Sequence, residues 1–284
     1  MRLNIIQDTE AWYALKQNKI GASESGVIMG LSRYQTPFQL WEQKLTRTLI
    51  PSNKAMEEGK RLEPLARMRL EEKFRMPLEA PVYQHVRIPY MIASLDAYNA
   101  KEGVLIEIKC GSKSYSLAQQ QIIPDYYFAQ CQHQMEVVGL DKMKYHCWLE
   151  GEEGITIDVY RDSAYINRLL DAEKEFWECL QNFVPPKLAD KDYEQMTSTE
   201  WKDCAKDLLQ VQEQLSKLQD EERKLRDDLI RQANNRNCEG AGIKVTKVIS
   251  KGHVQYNQIP ELKGVDLDKF RKEPSTTYRL TKVK

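Results

Sequence analysis

Three charged residues stand inside an otherwise apolar pair of strand patterns, and this arrangement constrains the fold more than any other part of the sequence. Residues 93–110 contain two strand patterns joined by a turn. Hairpin pairing would set Asp96, at the end of the first strand, beside Glu107 on the second. Glu107 and Lys109 are two residues apart and therefore share one strand face. Charges held inside such a hairpin are costly unless a cation and a substrate compensate them.

Two carboxylates and a lysine suit the hydrolysis of a phosphodiester. Mg²⁺ prefers oxygen ligands and is commonly held by one or two carboxylates together with substrate phosphate. The lysine would position an attacking water and stabilise the charge that develops on the phosphate. A surface hairpin with an ion pair between residues two apart would carry the same three charges, so the hairpin alone leaves that interpretation open.

Two helical patterns place further polar residues where such a site could use them. Glu63 lies in the first pattern, directly before Pro64, which we expect to interrupt the helix. Gln130 and Gln132 lie in the second pattern, at about 125–138, and a third glutamine follows two residues later. Carboxylate and amide groups at these positions could support a metal site from the helices that cover the hairpin.

The N-terminal segment offers a place for an anion. Lys16 and Lys19 precede Ser23, which we predict to be the N-cap of a helix. A helix N-terminus with a hydroxyl group and nearby lysines is suited to binding a phosphate.

These blocks, in this order and spacing, resemble the YqaJ viral recombinase or phage lambda-type exonuclease family, within the PD-(D/E)xK nuclease superfamily. The resemblance covers about residues 8 to 185, where four separate blocks agree. Leu95 stands where the superfamily's name has proline, which does not affect a ligand.

The resemblance implies a role for each matching residue. Metal ligands would be Asp96, Glu107, the backbone carbonyl of Ile108 and, for a second ion, Glu63. Lys109 would be the catalytic lysine, supported by Gln130. The pocket for a terminal 5′-phosphate would consist of Lys16, Ser23 and Ser94, although Lys16 stands where the best-known member has arginine and Lys19 is a nearby substitute. Apart from the resemblance, Lys19, Arg61 and Gln132 are candidates for further DNA contacts; for Arg61 the alternative is an ion pair with neighbouring acidic residues.

The function implied by the family is a Mg²⁺-dependent 5′→3′ exonuclease that acts on linear double-stranded DNA and leaves 3′ overhangs. Mn²⁺ is expected to substitute, with two ions in each site. Family members form ring-shaped trimers and work with a single-strand annealing protein, and a phage or prophage protein of this kind would act in the cytoplasm of a bacterial cell. Two alternatives are an endonuclease or other end-processing nuclease on the same fold, and a non-catalytic DNA-binding scaffold.

The order of helical and strand patterns predicts an α/β fold. For residues 1–190 we expect a restriction-endonuclease-like PD-(D/E)xK core, with a mixed central sheet flanked by helices. Residues 191–284 form a separate segment, with a long helix at 197–235 and a basic tail. Strands are expected at about 243–248 and 277–282 in this tail, with a loop around 259–264.

The long helix carries an apolar seam whose positions alternate steps of three and four residues. We call it the C-terminal seam; its members are Trp201, Cys204, Leu208, Val211, Leu215, Leu218, Glu222, Leu225 and Leu229. Such a seam predicts a coiled coil or helical hairpin. Because Glu222 interrupts it, a single amphipathic helix packed on the core remains an alternative.

Composition excludes several other classes of protein. Lys and Arg together number 42, as do Asp and Glu, so net charge gives no argument for nucleic-acid binding and any such site must come from local arrangement. No apolar run is long enough for a membrane helix, and the N-terminus turns polar too soon for a secretory signal. Six scattered cysteines argue against a zinc knuckle, an iron–sulfur cluster and a disulfide framework. Among the four histidines, which show no ligand spacing, we expect His133 to be a packed or supporting residue.

Overall fold

The computed structural model of the chain describes residues 1–48 and 53–247. These residues divide into two units, Met1–Tyr193 and the part that begins at Glu194. In the first unit the α-helices are α1 (Glu10–Gln17), α2 (Ser25–Ile28), α3 (Pro37–Thr46), α4 (Lys54–Phe74), α5 (Ser112–Gln119), α6 (Asp125–Val138) and α7 (Ser163–Asn182). The strands are β1 (Arg2–Leu3), β2 (Ile20–Gly21), β3 (Val82–Gln84), β4 (Met91–Ser94), β5 (Ala97–Asn99), β6 (Val104–Cys110), β7 (Lys142–Trp148) and β8 (Ile155–Tyr160).

The strands form two four-stranded sheets, with the orders β1-β3-β4-β2 and β5-β6-β7-β8. Both sheets are mixed, because β2 runs parallel to β4 and β6 runs parallel to β7, whereas the other neighbours are antiparallel. The predicted mixed α/β class is therefore confirmed, but the strands form two sheets where one central sheet was expected. The chain passes from one sheet to the other at Leu95 and Asp96, and the backbone N–H of Leu95 donates to the carbonyl of Pro81 at 3.0 Å.

Strand β6 is the central element of the second sheet, and its alternating side chains face two helices. One face packs against α4 in a cluster that includes Leu62, Ala66, Leu70, Ile106, Ile108 and Trp148. On the other face a cluster includes Leu105, Cys131, Met135 and Tyr145. Full burial of each large apolar side chain contributes about 1.5–3 kcal/mol. Since Glu107 and Lys109 alternate with Ile106 and Ile108, burial of the isoleucines against α4 turns the two charges toward α6.

Helix boundaries in the first unit follow local chemistry, with two departures from the sequence prediction. Thr36 caps α3, because its Oγ1 accepts from the backbone N–H of Gln39 at 3.0 Å. Ser23 is not an N-cap: it lies in a 3₁₀ turn, Ala22–Glu24, and α2 begins only at Ser25. Helix α4 continues through Pro64, which was predicted to interrupt it. The lost N–H of proline removes one hydrogen bond, and packing of α4 on β6 on both sides of it keeps the helix continuous.

The second unit contains the long helix α8 (Thr199–Ala233), which Ser198 caps by accepting from the backbone N–H of Trp201. Two short strands follow, β9 (Cys238–Gly240) and β10 (Ile243–Val245), and pair as an antiparallel hairpin. The strand predicted at 243–248 is thus confirmed as far as Val245. The loop predicted around 259–264 and the strand at 277–282 lie outside the described residues. Within the described ranges, no helix is both long and apolar enough to span a membrane.

Candidate active site

The hairpin of β5 and β6 brings Asp96 beside the charged face of β6. Ala97 pairs with Ile106 across the hairpin, so the residues next to them, Asp96 and Glu107, stand at the same level. The Oδ2 atom of Asp96 accepts a hydrogen bond from the backbone N–H of Ile108 at 2.8 Å. The juxtaposition predicted from the sequence is therefore present.

Glu107 is almost fully buried, with 1% of its side chain exposed, and three side chains donate to its carboxylate. Its Oε1 atom accepts from Lys109 Nζ and from Gln130 Nε2, the latter at 2.7 Å. Its Oε2 atom accepts from Gln134 Nε2 at 2.5 Å. A buried carboxylate that is held by three donors on two elements has a defined position and orientation.

Lys109 lies between the carboxylates and an aromatic ring. Besides its contact with Glu107, its Nζ atom stands 4.7 Å from the centroid of the Tyr127 ring on α6. Burial alone would lower the pKa of the Lys109 ammonium, but Glu107 and Asp96 outweigh burial and raise that pKa above its ordinary value. The ammonium is therefore strongly favoured in this position.

The carboxylates of Asp96, Glu107 and Glu63 are close enough to repel one another. Burial raises the pKa of Asp96 well above its usual range, and repulsion from Glu107 raises it further. Burial likewise raises the pKa of Glu63, against the opposing effect of Arg67. Burial and mutual repulsion therefore disfavour the ionised forms of Asp96 and Glu63, and a bound cation would stabilise those forms.

Arg67 connects helix α4 to this cluster. Its Nη1 atom donates to the backbone carbonyl of Asp96 and stands 3.4 Å from Oε1 of Glu63. One guanidinium thus ties the helix that carries Glu63 to the bend that carries Asp96.

The carboxylate oxygens of Asp96 and Glu107 are suitable ligands for a hard divalent cation. In the part of the chain that the structure describes, no group of three or more His, Cys, Asp and Glu side chains is arranged as a metal site. Mg²⁺ does not require such a group, since one or two carboxylates with water and substrate phosphate commonly hold it. A carboxylate offers about four acceptor positions, so Glu107 retains capacity for a metal ion beside its three donors, and Asp96 lies next to it.

A second group of polar residues lies at the ends of β2 and β4. Gly21 pairs with Ile92 in parallel, so Ser23 and Ser94, each two residues further on, emerge at the same end of these strands. The indole Nε1 of Trp12 donates to Oγ of Ser94 at 2.7 Å. Lys16 Nζ stands 4.7 Å from the Trp12 ring centroid. Trp12 thus joins two of the three residues predicted to bind a phosphate.

Lys16 and its neighbours form a charged cluster that sequence reasoning missed. Burial lowers the pKa of Lys16, although Glu24 raises it. The carboxylate of Glu24 accepts from the backbone N–H of Gly21 at 2.9 Å and pairs with the buried Lys44 at 2.8 Å. Lys44 also donates to the backbone carbonyls of Lys16 and Lys19, which stabilises the turn between α1 and β2.

Several known proteins are similar to this chain in sequence or in fold. The family model of the YqaJ-like viral recombinase domain matches residues 11–141, a range that includes every residue predicted for the metal site and the phosphate pocket. Residues 11–141, slightly less than half of the chain, are therefore similar to a YqaJ-like viral recombinase domain.

One protein sequence and two crystal structures are also similar to this chain. Protein YqaJ of Bacillus subtilis (strain 168), which is described as uncharacterized, is 26% identical over 178 residues; the match covers 59% of this chain and 55% of the relative, so the chain spans about half of that protein's length. The crystal structure of LHK-Exo in complex with dAMP is 25% identical, with a TM-score of 0.55, and covers 62% of this chain and 94% of that chain. The crystal structure described as an alkaline exonuclease (LHK-Exo) from Laribacter hongkongensis has the same identity and coverage, with a TM-score of 0.54.

The three candidates for further DNA contacts find different partners. Gln132 is completely buried, donates to the carbonyl of Tyr160 at 2.8 Å and accepts from the N–H of Asp162 at 2.9 Å, so it has no surface to offer DNA. Lys19 precedes β2 at the end opposite Ser23, and its Nζ donates to the carbonyl of Pro89 at 2.9 Å. It therefore does not join the pocket.

Arg61 is exposed but already paired with two acids. Its guanidinium contacts Glu58 at 2.7 Å and Glu150 at 2.8 Å, and the hydrogen bonds from Glu58 and then Glu150 raise its pKa. DNA would have to displace both carboxylates to reach it.

Gln134 contacts the carboxylate of Glu107, but the sequence analysis did not assign it a role in the site. It lies four residues after Gln130 on α6, and side chains at that spacing share a helix face. The i, i+4 spacing was the signal that pointed to Gln134, whereas Gln132, at i+2, lies on another face of the helix. His133 is a packed residue, as expected: its Nδ1 lies 2.7 Å from Glu173 and its Nε2 lies 3.0 Å from the carbonyl oxygen of Ile92.

Proposed function

We propose that this protein is a Mg²⁺-dependent 5′→3′ exonuclease that acts on linear double-stranded DNA and leaves 3′ single-stranded overhangs for recombination by strand annealing. The observation that carries the proposal is the buried Glu107 carboxylate, held by Lys109, Gln130 and Gln134 beside Asp96. A scaffold protein has no use for this costly arrangement of charges. We assign the surrounding elements to a PD-(D/E)xK core.

The structural relatives agree with nuclease activity. One is described as an alkaline exonuclease, and the same protein was crystallised with dAMP. A deoxynucleoside monophosphate is the product that an exonuclease releases from a DNA end. The match to a viral recombinase domain agrees with a role in recombination.

Each residue of the site would have a separate role in the hydrolysis of a phosphodiester. Asp96, Glu107 and the backbone carbonyl of Ile108 would hold one Mg²⁺ and Glu63 would help to hold a second, where the ions would activate water and stabilise charge on the phosphate and the leaving group. Mn²⁺ would replace Mg²⁺ at the same oxygen ligands. The two glutamines Gln130 and Gln134 keep Glu107 oriented, which second-sphere donors commonly do for metal-binding carboxylates.

Lys109 places a positive charge beside the carboxylates, where the scissile phosphate would bind. Its ammonium donates to Glu107 and rests on the ring of Tyr127, so it is ordered before DNA enters. Ordering of this kind lets the charge stabilise the transition state without further reorganisation.

The 5′-phosphate pocket would consist of Lys16, Ser23 and Ser94. The indole of Trp12 orients Ser94 by donating to its Oγ, which leaves the hydroxyl hydrogen of Ser94 able to donate to a phosphate oxygen. A bounded anion site of this kind selects a DNA end over the interior of a strand.

The assembly and partners follow from the same family. We propose a ring-shaped trimer that encircles DNA in the cytoplasm of a bacterial host and acts with a single-strand annealing protein. A net charge of zero is compatible with this, since a ring needs positive potential only along its lumen.

The test of nuclease activity compares linear duplex DNA with covalently closed circular DNA of the same sequence in the presence of Mg²⁺. We expect degradation of the linear form alone, abolished by EDTA and by Lys109→Ala. Cleavage of the closed circle would replace the exonuclease with an endonuclease on the same fold. An intact linear duplex under all conditions would leave a DNA-binding protein without catalytic activity.

A further inference from the structure

We propose that His133 and Glu173 position the two segments that carry Ser23 and Ser94, and thereby set the shape of the terminal-phosphate pocket. This role rests on the pocket proposed above, to which neither residue belongs. The two residues act through α2 and β4 and not by contact with the DNA.

Four residues from four elements are joined by hydrogen bonds, and we call them the buried network. Its members are Ser25 at the start of α2, Glu173 on α7, His133 on α6 and Ile92 on β4. Ser25 Oγ donates to Oε1 of Glu173 at 2.9 Å. His133 Nδ1 lies 2.7 Å from the same oxygen, and its Nε2 lies 3.0 Å from the carbonyl oxygen of Ile92. The buried network therefore ties α2 and β4 to α6 and α7.

Both ends of the buried network lie two residues from a serine of the pocket. Ser25 follows Ser23 at this spacing, where α2 begins. On β4, Ile92 precedes Ser94 at the same spacing. Each residue has only two soft backbone torsions, so an anchor two residues away restricts where the serine hydroxyl can lie.

His133 holds its two partners in fixed directions. The carbonyl oxygen of Ile92 and the carboxylate of Glu173 both accept, so His133 donates from both ring nitrogens and carries a positive charge. Glu173, which like His133 is completely buried, compensates this charge. A neutral ring has a single N–H and would give up one of the two hydrogen bonds. The charged pair thus joins α7 to β4 through one ring.

The buried network is a costly way to fill this part of the core. Oε2 of Glu173 is buried and has no hydrogen-bond partner among the described residues. An unsatisfied buried acceptor costs free energy, and apolar side chains of similar volume commonly stabilise a fold as well as a buried ion pair does. Apolar side chains could not supply directional hydrogen bonds to Ser25 and Ile92, which favours a positioning role.

The test measures kcat/KM of the full-length protein on linear duplex DNA with 5′-phosphate and with 5′-hydroxyl ends, in the presence of Mg²⁺. The ratio of the two values, which we call the end preference, does not depend on how much of the preparation is folded. We expect Ser25→Ala, which removes one hydroxyl from the buried network, to lower the end preference about fivefold. Glu173→Gln keeps the shape of the side chain but removes the charge that compensates His133, and should lower the end preference by about tenfold.

Two controls separate positioning of the pocket from general damage. Neither Ser25→Ala nor Glu173→Gln should change kcat/KM at 5′-hydroxyl ends or the Mg²⁺ concentration for half-maximal activity, because neither residue contacts Glu107. His85→Gln is the matched variant of a second buried histidine. The ring of His85 lies 3.3 Å from Glu136 on α6 and accepts from the backbone N–H groups of Arg87 and Ile88. His85→Gln should keep the end preference of the wild type.

The outcomes distinguish this role from the proposed function. If the wild type prefers 5′-phosphate ends and both Ser25→Ala and Glu173→Gln keep that preference, the positioning role is overturned and the pocket stands. An equal loss of end preference in His85→Gln would also overturn it, because any change in the core would then have the same effect. A wild type that degrades DNA without end preference would remove the pocket and the positioning role together, and a wild type that degrades no DNA would overturn the proposed function as well.

Discussion

Gln134 Nε2 donates to Oε2 of Glu107 at 2.5 Å, although 27 residues separate them in sequence. Together with Gln130 on the other oxygen, it fixes the plane of a carboxylate that we propose to ligate metal. The orientation of this carboxylate therefore depends on α6, whose own position depends on its packing against several other elements.

Removal of this hydrogen bond should impair catalysis more than folding. We expect Gln134→Ala to lower kcat by about 10- to 100-fold and to raise the Mg²⁺ concentration for half-maximal activity, as loss of a residue that supports a metal ligand commonly does. Gln119→Ala, at an exposed position on α5, serves as the control and should have no effect. Unchanged Mg²⁺ dependence in Gln134→Ala would separate Glu107 from the metal.

Arg67 should stabilise the folded state through the carbonyl of Asp96. Arg67→Met leaves that carbonyl without its donor and Glu63 without its nearest cation, so we expect the free energy of unfolding to fall by about 1–3 kcal/mol. Arg69→Met is the matched control on the same helix. Arg69 rests on the Trp148 ring, and its loss should cost no more than about 1 kcal/mol. Equal losses in urea denaturation would contradict this role of Arg67.

The sequence could predict the hairpin because its signal is local. A turn of standard length separates Asp96 from Glu107 and Lys109, which lie on the same strand. Ile106 and Ile108 alternate with these two charged residues and pack against α4, which determines the direction in which the charges face. The mixed α/β class followed from the order of the elements in the same way.

Residues whose role depends on tertiary packing could not be assigned from local pattern. Arg61 was a candidate for a DNA contact or for an ion pair with neighbouring acids, and the acid that lies farthest from it in sequence among its partners, Glu150, is 89 residues away. Gln132 resembled a site residue by its neighbourhood, yet it is bonded to Tyr160 and Asp162 at the end of β8. Glu150, Tyr160 and Asp162 all lie far along the chain from the residues that they contact, so no spacing rule within one helix can identify them.

His133 should make stability depend on pH. Burial lowers its pKa, but the buried Glu173 carboxylate outweighs burial and raises the pKa above the ordinary value of about 6.5. A raised pKa in the folded state contributes stability that is complete below the unfolded pKa and is lost as pH rises through the folded pKa. We therefore expect the Tm of the wild type, relative to that of His133→Gln, to fall as pH rises above about 6.5. Parallel Tm profiles for the two proteins would contradict the charged pair.

Two glycine substitutions should have opposite signs. A Cβ at Gly26 would lie 2.7 Å from Cβ and 2.8 Å from the backbone of Tyr126, so Gly26→Ala should force α2 away from α6 at a cost of about 1–3 kcal/mol. Gly59 lies within α4 with nothing within 4 Å of its added Cβ. Gly59→Ala should stabilise the protein by about 0.5–1 kcal/mol. Chemical denaturation measures both, and a neutral Gly26→Ala would contradict the close contact of α2 and α6.

The most direct test of the proposed function compares linear duplex DNA with 5′-phosphate and 5′-hydroxyl ends, each strand carrying a different label, in the presence of Mg²⁺. The account predicts loss of the 5′-phosphorylated strand alone, with a much slower reaction at 5′-hydroxyl ends and none in Lys109→Ala. Digestion that is indifferent to the terminal group would contradict the pocket of Lys16, Ser23 and Ser94, and digestion from the 3′ end would contradict the proposed polarity.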